Sequence, residues 1–148
     1  MDQETIRNEI LKTAHARLER YEALVNLADE QKTILLESKH TDLPGNLVKF
    51  DPLLLEIKQL DRREESLFGQ YEEMAGMPFD DREYKSLASD IAGRAERLHN
   101  LAEVNRQLLD NAMEFVNFSI NIVCKVAAEL NPNLAAETNP ALMLDLKV

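Results

Sequence analysis

Between Asp80 and Leu130 the sequence reads as one long helix, and the character of that helix changes partway along. From Tyr84 to Asn105 its apolar residues form one stripe. From Leu108 to Val126 they run almost all the way round: Leu108, Leu109, Ala112, Met113, Phe115, Val116, Phe118, Ile120, Ile122, Val123 and Val126. One stripe is enough to join a core. Further apolar faces on a small acidic chain predict a surface meant for a second protein. Unbroken, such a helix would be about 70 Å long and would outreach shorter partners.

Two more long helices precede it. Leu11, Ala14, Leu18, Tyr21, Val25 and Ala28 recur at spacings of three and four, which predicts a first helix from about Gln3 to Ser38. Pro44-Gly45-Asn46 punctuates a break over Thr41 to Asp51. Asp51-Pro52 then has the form of an N-cap followed by a first-turn proline. The second seam is Leu53, Ile57, Leu60, Glu64, Leu67, Tyr71 and Met74, interrupted only by Glu64 and ended by Gly76 and Pro78. Asp80 or Asp81 is placed to cap the third helix, whose seam runs through Leu87, Ile91, Arg94, Leu98, Leu101, Asn105, Leu108, Ala112, Phe115, Ser119, Ile122 and Val126. The expected fold is all-α: an elongated antiparallel three-helix bundle with coiled-coil-like helices. Residues 1–130 form its single domain, and a C-terminal tail follows at 131–148. Asn131-Pro132 and Asn139-Pro140 stop helix propagation in that tail, and its apolar end (Ala141 to Val148) reads as a fold-back segment or a docking peptide.

Composition narrows the function. A net charge of −10 opposes a nucleic-acid partner, whose affinity comes largely from Lys and Arg. The acidic start Met1-Asp2-Gln3-Glu4 lacks a basic, apolar leader, and no uncharged run approaches the ~20 residues of a membrane span. The expected location is cytoplasmic, without membrane insertion. The single cysteine, Cys124, lies in an apolar run and reads as a small hydrophobe.

Enzymatic chemistry finds little support. Glu37-Ser38-Lys39-His40 and Glu96-Arg97-Leu98-His99 have the Glu-x-x-His spacing of di-iron bundles. That site also needs inward carboxylates from two further helices, and only Glu64 offers one. Leu98 lies on the seam, so Glu96 and His99 point away from it. No phosphate-binding loop and no nucleophile–base arrangement stands out. No enzyme activity, cofactor or metal is expected. Asn105 and Ser119 are polar residues on a seam, a pattern that fixes register, unless the helix is solvent-exposed there.

The run Leu98-His99-Asn100-Leu101-Ala102-Glu103-Val104-Asn105-Arg106-Gln107-Leu108-Leu109, with Ala112, Phe115 and Val116 after it, resembles the FlgN family of flagellar export chaperones. The signature is Asn-x-x-Leu-Leu, here Asn105, Leu108 and Leu109. A first helix with Glu30-Gln31 midway and a second with Asp61-Arg62-Arg63 fit the same order, and the likeness spans roughly Ile6 to Val126. Two positions depart from the family pattern: Ala102 stands where a further Asn is common, and Asn131-Pro132-Asn133-Leu134 replaces a Tyr-Gly-x-x-Gly turn. The resemblance implies a cytosolic chaperone that holds C-terminal segments of hook-associated flagellar proteins and delivers them to the flagellar type III export apparatus. The apolar excess supplies the expected contact residues: Leu108, Leu109, Ala112, Phe115, Val116, Phe118, Ile122 and Val123. The rival reading is a structural coiled-coil homodimer or adaptor that buries the same face. The two are compatible, since a chaperone can form a homo-oligomer through its vacant site.

Overall fold

The computed structural model describes residues 2–130, and among them every regular element is helical. Three long helices, α1 (Gln3–Leu36), α3 (Phe50–Ala75) and α4 (Arg82–Leu130), are joined by a 3-10 turn at His40–Asp42, a short helix α2 (Leu43–Leu47) and the loop before α4. By internal contacts the chain divides into a unit ending at Asn105 and a second beginning at Arg106, of which residues 106–130 are described. The expectations for the tail at 131–148 lie outside the described residues.

Caps mark the starts of α1 and α4 and the end of α3. The Asp2 carboxylate accepts from the Thr5 N–H at 2.7 Å, and Asp81 accepts from the Tyr84 N–H at 3.0 Å. Each satisfies a donor that the first turn leaves open. Gly76 ends α3 in the left-handed region (φ 69°), its N–H donating to the Glu72 carbonyl.

The connector differs from the expected turn. Pro44-Gly45-Asn46 lies inside α2, with the proline in the first turn, where a missing N–H costs nothing. The second long helix begins at Phe50, so Asp51 sits inside its first turn and is not its N-cap. The first helix stops at Leu36, and Ser38 takes a positive φ of 56°.

In the first unit the core pairs have a consistent order. Along α1, its partners on α3 run backwards: Ile6 and Ile10 meet Leu67, Arg17 meets Asp61 and Glu64, Arg20 meets Glu56, and Val25 and Ala28 meet Phe50. Its partners on α4 run forwards: Arg7 meets Glu83, Leu11 and Ala14 meet Leu87, and Val25 and Ala28 meet Leu101. Four rings, Phe68, Tyr71, Phe79 and Tyr84, pack around the α3–α4 loop with centroids 4.9–5.7 Å apart. These separations are typical of stable aromatic pairs.

Glu64, the interruption in the second seam, is buried. Its carboxylate accepts from Arg17 Nη1 at 2.9 and 3.0 Å and from the Tyr84 hydroxyl at 2.9 Å. Arg17 Nε lies 2.8 Å from Asp61. Burial pulls the Arg17 guanidinium pKa down, but Glu64 and Asp61 more than offset this and hold it above its ordinary value. Desolvation, then the Glu64 hydrogen bond and charge, push the Tyr84 hydroxyl up to about 12.

A pH dependence follows from Tyr84. Its folded pKa exceeds the unfolded value near 10, so its contribution is complete below pH ~10 and is lost as pH rises towards ~12. The ring is partly solvated, and the loss is on the order of 1 kcal/mol after screening. Thermal unfolding at pH 9 and pH 11 checks it: the drop in midpoint is to be smaller in Tyr84→Phe than in the parent.

Candidate partner-binding surface

The helix from Arg106 to Leu130 carries few charges: Arg106, Asp110, Glu114, Lys125 and Glu129, with none from 115 to 124. Arg106 and Asp110 pair across one turn at 3.7 Å. Charged groups therefore leave the middle of this segment to apolar side chains.

Those side chains face solvent. Phe115 is 70% exposed, Phe118 62% and Val123 58%; Leu109, Val116 and Ile122 are also exposed, and Leu108 and Ala112 are half-buried. At 3.6 residues per turn, Leu109, Ala112, Val116 and Val123 form one row, while Leu108, Phe115 and Ile122 form the row beside it, with Phe118 at its outer edge. Met113 and Val126 are as open as these, at 47% each, and belong to the same surface. The apolar excess that marks the expected contacts marks them equally. The Ser119 hydroxyl donates to the Phe115 carbonyl at 3.0 Å, so the one polar group on the first row is satisfied within its own helix.

The signature asparagine has a different setting. Asn105 is 3% exposed, and its amide donates to the Ala28 carbonyl at 2.9 Å and to Gln31 Oε1 at 3.0 Å. Gln31 passes the chain on to Asn46, and Asn46 donates to the Leu27 carbonyl at 3.0 Å. An amide relay with buried ends at Asn105 and Asn46 thus joins α4, α1 and α2, and the alternative of a solvent-exposed Asn105 is ruled out. Gln31 and Asn46 carry no periodic signal in the sequence. Asn46 read there as turn punctuation, although its side chain is 1% exposed.

Of the Glu-x-x-His pairs, Glu37, His40, Glu96 and His99 are all exposed, and Glu64 is engaged by Arg17 and Tyr84. Among the described residues no three His, Cys, Asp or Glu side chains are grouped to hold a metal ion. Among them, too, no helix is long and apolar enough to cross a membrane.

The family model described as FlgN protein matches residues 1–133. The chain belongs to the FlgN family. FlgN proteins are flagellar export chaperones, which places this chain in flagellum biogenesis. The match includes the whole signature and the exposed apolar segment after it. Comparison with curated proteins and with solved structures found no match. As a FlgN chain it is a protein-binding helical chaperone, and an exposed apolar helix suits that role better than a pocket lined with polar groups.

Proposed function

We propose that this FlgN chain binds the C-terminal helical segments of hook-associated flagellar proteins and delivers them to the flagellar type III export apparatus, acting in the cytoplasm before the cargo leaves the cell. The contact residues are Leu108, Leu109, Ala112, Phe115, Val116, Phe118, Ile122 and Val123. The observation that carries this reading is the exposure of two phenylalanines, Phe115 and Phe118, in an uncharged stretch of a chaperone-family chain. A cargo helix laid along these rows would bury them as a helix-in-groove partner does. The cargo gives up several kcal/mol of disorder on binding, so the contact has to be extended, on the order of 1,000 Å² or more.

We read the first unit as an antiparallel three-helix bundle, because the contact order along α1 reverses on α3 and advances on α4. We read residues 1–130 as one domain, because α4 carries the chain past Asn105 without a break in helix. Co-purification tests the function. The tagged chain is to retain the C-terminal segment of a hook-associated protein through gel filtration and to lose it when that segment is deleted. Equal retention of the truncated cargo would move recognition to another part of the cargo and refute the reading.

A further inference from the structure

A glycine interrupts the interior of α3 where no neighbour requires one. Gly69 costs a helix about 1 kcal/mol against alanine. No packed atom comes within 4 Å of where its Cβ would stand, so close packing does not explain it. Its row along the helix is informative. Glu65, Gly69 and Glu72 follow at steps of four and three on one side of α3, so the missing side chain leaves a notch with a carboxylate one turn to either side. The notch belongs to a cleft of about 510 Å³ between α3, the loop after it and the first turn of α4. Phe68, Phe79 and Tyr84 line that cleft, their ring centroids 5.3–5.7 Å apart. The Tyr84 hydroxyl is held by Glu64, so Tyr84 offers the cleft its ring. Glu65 and Glu72 are exposed, and among the described residues neither carboxylate is engaged in an ion pair or a side-chain hydrogen bond. No Lys or Arg is among the described residues that line the cleft.

We propose that this cleft docks an arginine side chain presented by a partner protein. A guanidinium is planar: laid against the rings it gains cation–π attraction, and its edge donates to the carboxylates beside the notch. A neutral apolar side chain in the same place would shut Glu65 and Glu72 from water without a partner, a penalty that a cation avoids. The net charge of −10 steers a basic segment towards the chain in the same sense. An open cleft holds one such side chain with a Kd on the order of 1 mM, and the protein that carries the arginine supplies the remaining contact. The cleft belongs to the first unit and the proposed cargo residues to the second, so the inference stands without the cargo reading.

Titration of the full chain with the peptide acetyl-Gly-Gly-Arg-Gly-Gly-amide, followed by NMR at the rings of Phe68, Phe79 and Tyr84, tests the cleft. The ring resonances are to shift saturably, with a Kd on the order of 1 mM. The citrulline peptide, which keeps the shape and loses the charge, is to leave them in place. Gly69→Leu fills the notch and is to abolish the shifts. Its thermal midpoint is to stay at or above the parent's, since leucine favours a helix where glycine does not. Glu65→Gln with Glu72→Gln is to weaken binding about tenfold. Asp90→Asn with Glu96→Gln removes the same charge from exposed positions on α4 and is to leave binding within about twofold. Rings unmoved by the arginine peptide, equal shifts with citrulline, binding that survives Gly69→Leu, or equal weakening by the two double variants would each overturn the proposal. Tetramethylammonium, a cation without N–H donors, is to bind several-fold more weakly than the peptide. Equal binding would assign the cleft to a free small cation and refute docking of a protein side chain. A chain that binds the peptide as expected yet retains no cargo upholds the cleft and refutes only the cargo reading.

Discussion

Replacing Phe115 and Val116 together by serine lowers affinity for a hook-associated C-terminal segment by roughly 100-fold, a loss of about 3 kcal/mol. Aromatic anchors dominate such interfaces, and removing Phe115 takes away the most exposed side chain of the face. Helical content is to stay at the parent level, because a ring 70% open to water contributes little to folding. Isothermal titration and far-ultraviolet circular dichroism on the same samples measure both quantities. Unfolding would assign the pair to a core. A folded variant with unchanged affinity would place the binding surface elsewhere.

Glu64→Leu destabilises the first unit by about 3 kcal/mol, seen as a fall of roughly 10–15 °C in thermal midpoint. The substitution leaves Arg17, a guanidinium only 16% exposed, with the more solvated Asp61 as its remaining partner, and it strips the Tyr84 hydroxyl of its acceptor. Breaking one side of a buried pair costs more than removing both. The double variant Arg17→Leu with Glu64→Leu is therefore to recover most of the loss. A single variant within about 0.5 kcal/mol of the parent would mean that water, and not Arg17, compensates Glu64.

These two residues also show where sequence reasoning stops. The seam through Leu53, Ile57, Leu60 and Leu67 correctly marks the packed side of α3, and Glu64 stands on it as a visible fault. Its partner sits 47 residues away, and spacing along a single helix says nothing about a neighbour's side chains. Met74 continues the same spacing yet is half exposed, because at that level no neighbour covers it. The expected contact residues on α4 rest on apolar excess alone. That signal finds Phe115 and Phe118, but it does not separate them from Met113 and Val126.

Local chemistry in the chain determined the helices themselves. Spacings of three and four fix a helical face, Asp81 offers an acceptor to the N–H groups of α4, and Gly76 takes the left-handed turn that other residues resist. The family followed from residues that are adjacent in sequence, Asn105, Leu108 and Leu109. Only the tertiary structure decided which members of each seam leave water. Leu101 and Asn105 are buried, while Leu109, Val116 and Val123, which continue the same kind of spacing, are exposed. Periodicity is a property of one backbone, whereas burial depends on whether another part of the chain arrives to cover it.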